Sequence, residues 1–151
     1  MAEKISTETV QKLREQTGAG VMDCHRALAE AKGDLERAAA LIREKGLTKV
    51  EKRAGRDTGA GLVKSYVHNE RIGVLVHLRT ETDFVVRSDP FQALAHELVM
   101  QVAAVPAANV EELLAQPYIK DESRTVKDLV NDVIAKVGEN VSIKEFYRVE
   151  V

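Results

Sequence analysis

The sequence predicts an α+β fold, in which a module of three short helices precedes an antiparallel sheet covered by helices. Three features of the 151 residues predict it. Apolar residues recur at helical spacing three times near the N-terminus, two alternating runs follow, and two further helical stripes precede a final alternating segment. The order β-β-α-α-β suits an antiparallel sheet covered by helices. We therefore divide the chain into a three-helix module at 1–48, a linker at 49–61 and an α+β domain at 62–151.

The three helices of the module are bounded by residues that commonly begin or end helices. Ser6 can cap the first helix, which extends to about Gln16 before two glycines. Asp34 can cap the third helix, and Gly33 and Gly46 are predicted to end the second and the third. The second helix carries one apolar stripe, formed by Val21, Cys24, Ala27, Leu28 and Ala31. Helices this short need each other's apolar faces, so we expect a small bundle that serves as a binding scaffold.

The segment 49–61 differs in character from the module before it. The helical apolar period lapses, and four basic residues occur with three glycines, namely Lys49, Lys52, Arg53, Arg56, Gly55, Gly59 and Gly61. Two interpretations are open: a solvated linker or fraying helix end, or a patch that contacts RNA or an acidic partner. The segment has no interleaved aromatic residue for base stacking, which favours the linker.

Two strands are predicted at the start of the second domain. Leu62–His68 and Ile72–Arg79 contain alternating apolar residues, as half-buried strands do. Asn69-Glu70 between them predicts a two-residue hairpin turn. The cross-strand pairs of this register are Val67 with Ile72, Val63 with Val76, and Tyr66 with Gly73. This register brings apolar residues together on one face of the hairpin and covers a glycine with an aromatic ring.

Helices and a terminal strand complete the predicted domain. Asp89 can cap a long helix with Pro90 at its first position, and that helix ends before Pro106. The other predicted elements are a short turn at 110–114 capped by Asn109, a helix over 126–137 stopped by Gly138, and a strand over 141–151.

Composition and charge exclude several classes of protein. The chain is 44% hydrophobic and 30% charged, as in ordinary soluble proteins, and its formal net charge of −2 favours neither nucleic acid nor an anionic membrane. The N-terminus lacks the apolar region of a secretory signal, and no apolar run is long enough to span a membrane. The single cysteine, Cys24, cannot form an intrachain disulfide, so we expect the reducing cytoplasm.

Residues suited to catalysis or metal binding do not come together in the sequence. Cys24 and His25 are neighbours on a predicted helix, so their side chains point in different directions. His68 and His77 lie far apart in the predicted hairpin, which removes the obvious metal pair. The sequence therefore predicts no catalytic residue, no metal site and no cofactor, and an enzyme is not expected.

One aromatic residue lies on the short connection between the second strand and the long helix. Phe84 follows Asp83 within the largely polar segment Thr80–Arg87. Its ring either packs under the sheet as core or is exposed for function, and the pattern alone favours neither. Loops held between rigid elements carry function more often than packing.

Two long motifs resemble one known family. The segment from Leu13 to Cys24, LREQTGAGVMDC, closely resembles the N-terminal signature of translation elongation factor Ts. The residues Thr82, Asp83, Phe84 and Val85 resemble the second signature of that family, at the expected separation and after a strand. Gly138-Glu139-Asn140-Val141 resembles a third, weaker one. The resemblance covers essentially the whole chain and favours the exposed interpretation of Phe84.

The resemblance implies a guanine-nucleotide exchange factor for the GTPase elongation factor Tu. In that family the three-helix module is similar to ubiquitin-associated domains and docks on the GTPase domain. The Asp83–Phe84 pair, with Thr82 and Val85 beside it, would be pushed towards the nucleotide and magnesium site. The resemblance implies that Arg14, Val21 and Met22 contact the same partner domain, without any direct contact to nucleic acid or membrane.

The chain departs from the family pattern in three respects. His25 stands where a lysine is common, which puts that contact in doubt, and Val21 stands where many relatives have methionine. Long relatives have two similar core halves and a helical hairpin that protrudes from the core. This chain has one half, and only the segment Pro106–Pro117 occupies the position from which the hairpin would protrude. The family's short forms therefore suggest a homodimer, in which the second subunit supplies the missing half.

Two other functions remain open at this stage. A ubiquitin-associated-like adaptor would explain residues 1–46 but would leave Asp83 and Phe84 without a purpose. A small ribosome- or RNA-binding protein would use the basic residues between Lys49 and Arg56, and it predicts strongly salt-dependent RNA affinity.

Overall fold

The computed structural model describes residues 5–151 and confirms an α+β fold. The predicted start of the module at residue 1 lies outside the described residues. Contacts divide the chain into a first unit that ends at Lys52 and a second unit, Arg53–Val151, and each is described by itself. Among residues 5–151, no helix has the length and apolar character needed to cross a membrane.

Three helices form the first unit: α1 at Thr7–Thr17, α2 at Val21–Glu30 and α3 at Leu35–Arg53, of which only the last residue belongs to the second unit. The predicted caps are confirmed. The Ser6 hydroxyl accepts from the Thr9 N–H at 3.2 Å, and Asp34 Oδ1 accepts from the Arg37 N–H at 3.0 Å. Gly18 ends α1 with a φ of 69°, in the left-handed region that glycine adopts without strain.

A small apolar core joins these helices. It contains Val10, Leu13, Cys24, Ala27, Leu28, Ala31 and Ala38. Four members of the stripe predicted on α2 are therefore buried, as expected. The fifth, Val21, is 50% exposed because it lies in the first turn of α2, at the end of the bundle.

The prediction that Gly46 ends the third helix is wrong, because α3 continues to Arg53. Glycine inside a helix costs only about 1 kcal/mol relative to alanine, and leucine, lysine and glutamate, which favour helices, follow it. The first part of the predicted linker is therefore helical.

The remaining part of the predicted linker is hydrogen-bonded within the second unit. The Arg53 guanidinium donates to the Ile134 carbonyl at 3.2 Å, and Asn140 Nδ2 donates to the Arg56 carbonyl at 3.0 Å. Arg79 Nε donates to the Thr58 carbonyl at 2.7 Å. These bonds fix the backbone that leads into the sheet.

We propose that the two units pack independently, and limited proteolysis tests this. Trypsin is expected to cut first at Lys49 or Lys52, since both are exposed near the end of α3, whose one fully buried residue is Ala38, well before them. Mass spectrometry of the early fragments identifies the sites. First cuts within Val126–Val137 would contradict this division.

The second unit contains five strands and four helices among the described residues. Its elements are β1 at Ala60–His68, β2 at Ile72–Thr80, α4 at Asp83–Val86, α5 at Asp89–Ala104, α6 at Val110–Ala115, β3 at Pro117–Tyr118, β4 at Asp121–Thr125, α7 at Val126–Val137 and β5 at Val141–Glu150. The main sheet is antiparallel in the order β1-β2-β5, so β2 is central.

The predicted hairpin exists, but its register is wrong by one residue. The observed pairs are Val67 with Gly73, Tyr66 with Val74, and Val63 with His77. The connection has three residues, of which Asn69 and Glu70 have φ of 49° and 58°, and the third shifts the pairing. Because side chains alternate along a strand, a shift of one residue exchanges the two faces of β1.

The exchange of faces leaves apolar side chains exposed on the outer side of the sheet. A bulge between β2 and β5, at His77/Leu78, also changes the phase of β5, so the predicted unbroken alternation over 141–151 is wrong. Ile143 is buried before the bulge, whereas Tyr147 is exposed after it. The exposed apolar residues of this outer sheet face are Val63, Val67, Leu75, Tyr147 and Val149.

The inner side of the sheet packs against the helices. The buried apolar residues of β2 are Val74, Val76 and Leu78. Helix α5 begins one residue earlier than predicted, with Ser88 as its cap, and it buries Phe91 completely. The predicted cap at Asn109 and the predicted stop at Gly138 are confirmed, and Gly138 has a φ of 77°.

A small hairpin of β3 and β4 was not predicted, because β3 has two residues and β4 reads DESRT. The buried Gln101 holds it: Gln101 Nε2 donates to the Pro117 carbonyl at 3.1 Å, and Gln101 Oε1 accepts from the Ile119 N–H at 3.0 Å. Burial and the hydrogen bond to Glu97 raise the pKa of Tyr118 to about 12.

Candidate functional site

Three of the four residues from Thr82 to Val85 lie in α4, the single helical turn at Asp83–Val86 between β2 and α5, and Thr82 precedes it. Thr82 caps the turn, because its hydroxyl oxygen accepts from the Val85 N–H at 3.4 Å. Val85 is buried and anchors the turn, whereas Phe84 is 85% exposed. The structure therefore contradicts the interpretation of Phe84 as core.

The carboxylate of Glu139, in the connection between α7 and β5, holds this turn from one side. Glu139 Oε1 accepts from the Thr82 hydroxyl at 2.6 Å, and Oε2 accepts from the Thr82 backbone N–H at 3.0 Å. Oε2 also lies 3.1 Å from the hydroxyl of Thr80, the last residue of β2. One carboxylate thus fixes the entry to the turn.

The residue after Glu139 connects the same two segments through the backbone. The Asn140 N–H donates to Glu81 Oε1 at 2.8 Å, and the Asn140 carbonyl accepts from the Thr80 hydroxyl at 2.9 Å. Arg56 lies 3.6 Å from the same Glu81 oxygen, in a partly exposed ion pair. Hydrogen bonds therefore join the 138–140 connection to Thr80 and Glu81, which lead into α4.

The exit of the turn is fixed by the start of α5. The Ser88 hydroxyl donates to the Val85 carbonyl at 2.6 Å, and Gln92 Nε2 donates to the Val86 carbonyl at 2.7 Å. An exposed apolar side chain on a mobile loop would be disordered, but here the backbone of the turn that carries Phe84 is held at both ends. The backbone that carries Phe84, with the exposed Asp83 beside it, is therefore fixed at the entry and at the exit of the turn.

The other predicted contact residues lie in the first unit, around the connection of α1 and α2. Arg14 is exposed in the last turn of α1; Val21 and Met22 are exposed in the first turn of α2, Met22 by 65%. The Thr17 hydroxyl, at the end of α1, accepts from the Ala19 N–H of this connection at 3.3 Å and donates to the Leu13 carbonyl at 2.7 Å. His25, where the family pattern has lysine, is also exposed.

No metal site was found in the part of the chain that the structure describes. Within residues 5–151, no three His, Cys, Asp or Glu side chains come close enough together to hold a metal ion. Cys24 is buried, with its thiol 3.7 Å from the Ala19 carbonyl.

Sequence reasoning missed the residues that hold the turn. Glu139 and Asn140 occur in the third, weak motif, but no role follows from that motif alone. Their separation from Thr82 by more than fifty residues hides the contact, and only the pairing of β2 with β5 brings them together.

Comparison with known proteins decides the family. The family model described as elongation factor TS matches residues 81–151. Elongation factor Ts of Thermotoga maritima is 40% identical, with 98% of this chain and 96% of the relative covered. Elongation factor Ts of Thermoanaerobacter pseudethanolicus is 41% identical, with 97% and 94% covered.

The chain belongs to the elongation factor Ts family. The predicted resemblance is thus confirmed, and the chain is placed among translation elongation factors. The part matched by the elongation factor Ts model contains both Phe84 and Glu139. The alignment with the Thermotoga maritima protein extends over 192 positions, more than the 151 residues of this chain, so that elongation factor Ts has residues that this chain lacks.

Proposed function

We propose that this protein is a guanine-nucleotide exchange factor, which binds elongation factor Tu·GDP and promotes GDP release during translation elongation. It acts in the cytoplasm and performs no bond-making chemistry of its own. Membership of the elongation factor Ts family supports the assignment to translation. The observation that carries the exchange mechanism is the exposed ring of Phe84 on an anchored turn.

The mechanism is a mechanical disturbance of the partner's nucleotide site. A GTPase holds its nucleotide through backbone amides, a lysine and Mg²⁺, all of which depend on the loops around them. Phe84 inserts between side chains beside that site, while Asp83 guides the approach near the metal. Burial of one aromatic ring contributes about 1.5–3 kcal/mol, and each tenfold gain in release rate needs about 1.4 kcal/mol.

Linkage explains how the factor turns over. If the factor weakens nucleotide binding, then nucleotide must weaken binding of the factor by the same ratio. Returning nucleotide therefore displaces the factor, which acts repeatedly on new GTPase molecules.

Stopped-flow release of a fluorescent GDP from elongation factor Tu tests the proposal. We expect this protein to accelerate release in a saturable, concentration-dependent manner. An unchanged release rate at concentrations where binding is independently detected would contradict the exchange function. Salt-dependent binding to RNA in its place would favour the RNA-binding alternative.

The first unit is proposed to dock on the same partner as a ubiquitin-associated-like module, through Arg14, Val21 and Met22. Apolar contact by Met22 and charge on Arg14 would contribute affinity rather than disturb the nucleotide. Met22→Ala and Arg14→Ala are therefore expected to raise the half-saturating concentration of factor while sparing the limiting release rate. Lys12→Ala, an exposed residue elsewhere on α1, is the control and should change neither.

We also propose that two copies of the chain form a homodimer through the outer sheet face. That face is apolar and exposed in the single chain, which is unusual for a sheet in water. His77 and Glu145 lie on it 3.4 Å apart, and this hydrogen bond, followed by one from Tyr147, lowers the pKa of Glu145. Because these polar side chains are hydrogen-bonded to each other within the chain, the face suits a second copy better than a charged partner.

Sedimentation at micromolar concentration tests the dimer. We expect a species of twice 16.7 kDa for the natural chain, and a shift towards monomer for Leu75→Asp, because a carboxylate at the centre of the face would be buried without a partner. Val105→Asp, at an exposed position outside the sheet, is the control. A single 16.7 kDa species at all concentrations would contradict the proposal.

A further inference from the structure

Glu139 makes an unusual set of contacts for a partly exposed carboxylate. Both of its oxygens accept hydrogen bonds from Thr82, at 2.6 Å from the hydroxyl and 3.0 Å from the backbone N–H. The Thr80 hydroxyl, which donates to the Asn140 carbonyl at 2.9 Å, lies 3.1 Å from one of the same oxygens. Two donors of Thr82, the residue that caps α4, thus converge on one side chain of a distant connection.

The backbone of Glu139 is fixed on both sides, so the side chain has little freedom to leave. Before it, Gly138 is held by a 3.0 Å bond from its N–H to the Ile134 carbonyl at the end of α7. After it, Asn140 is buried and donates through Nδ2 to the Arg56 carbonyl. The carboxylate is therefore a rigid acceptor rather than a mobile surface charge.

The bond between Glu139 and the Thr82 hydroxyl has a consequence for the helical turn. A hydroxyl has one proton, and directing it to the carboxylate leaves an oxygen lone pair for the Val85 N–H, the capping bond of α4. Bonds to an ionised acceptor are also stronger than neutral ones. A helix of four residues does not persist without such support.

We propose that Glu139 is a positioning residue for Phe84. It holds Thr82, orients the Thr82 hydroxyl and thereby keeps the turn that presents the exposed ring. Glu139 acts through Phe84 and needs no contact with the partner itself. The proposal rests on the proposed exchange function and assigns a role to the third motif of the chain.

A double-mutant cycle in the fluorescent GDP assay tests the proposal. Glu139→Ala alone is expected to lower the limiting release rate by roughly tenfold, and Glu139→Gln, which keeps one acceptor oxygen, by less. In the Phe84→Ala background, Glu139→Ala should change the rate no further, because the ring that it positions is absent. Glu112→Ala, which removes a carboxylate bonded to the Ala108 N–H, is the matched control and should leave the rate unchanged.

Amide hydrogen exchange on the free protein provides a readout that is independent of the partner. Glu139→Gln is expected to increase exchange of the Val85 and Thr82 N–H groups by roughly tenfold, whereas Phe84→Ala should not. This measurement applies even if Glu139→Ala does not fold.

The outcomes separate this inference from the exchange function. If the natural chain does not accelerate GDP release, the exchange function fails, and unchanged amide exchange in Glu139→Gln would then overturn the positioning role as well. If Phe84→Ala is slow but Glu139→Ala releases GDP at the full rate, the positioning role alone is wrong. Additive losses in the double variant would also overturn it, since Glu139 would then act independently of Phe84.

Discussion

Phe84→Ala is expected to slow release of GDP from elongation factor Tu by at least about tenfold, which corresponds to about 1.4 kcal/mol of transition-state stabilisation. The ring is 85% exposed in the free chain, so its truncation removes little from the fold. The free energy of unfolding should change by no more than about 0.5 kcal/mol. Stopped-flow release and thermal unfolding measure the two effects on the same preparation.

The controls for Phe84 distinguish insertion from general damage to the surface. Asp83→Ala should act in the same direction but less strongly, since the role we propose for Asp83 is polar guidance. Ile119→Ala removes another exposed apolar side chain of the second unit and should leave the release rate unchanged. A Phe84→Ala protein that unfolds easily yet exchanges nucleotide at the full rate while folded would defeat the proposed mechanism.

Phe91→Ala is expected to have the opposite profile, with a loss of about 3–5 kcal/mol in the free energy of unfolding. Phe91 lies seven positions after Phe84, in the first turn of α5, but it is completely buried. Truncation removes apolar burial and leaves a cavity that the surrounding helices and sheet cannot fully close. Urea-induced unfolding, followed through the transition of the second unit, measures the loss in the free energy of unfolding.

The matched comparison for Phe91 is Phe91→Leu, which keeps most of the buried volume and should cost clearly less than the alanine variant. Residual folded Phe91→Ala should still accelerate GDP release, because the Phe84 turn is bonded through Thr82 to Glu139 and not through the Phe91 ring. Equal stability of Phe91→Ala and the natural chain would show that this ring is not part of the core.

The local boundaries of the elements could be predicted because they depend on residues close in sequence. Ser6, Asp34 and Asn109 cap helices by bonding to amides three residues ahead, and Gly138 ends α7 through its own backbone conformation. The predicted end of α3 at Gly46 was wrong because a glycine inside a helix is only mildly unfavourable.

The register of the hairpin could not be predicted, because it depends on whether the turn uses two residues or three. Arg71 takes the third position, and the whole of β1 changes face as a result. The bulge opposite His77 and Leu78 has the same effect on β5. Together they place Val63 and Tyr147 on the outer side of the sheet, which the alternating patterns did not show.

The sequence by itself determined the fold class, the family and the identity of the exposed aromatic candidate, Phe84, because these rest on periodicity and on contiguous motifs. Only the tertiary structure decided how that residue is held. Glu139 and Thr82 are bonded across 57 positions of sequence, and no local pattern encodes a contact that exists only once β5 has paired with β2. The position of the turn that carries the ring therefore depends on long-range packing, although the ring itself is specified by a short motif.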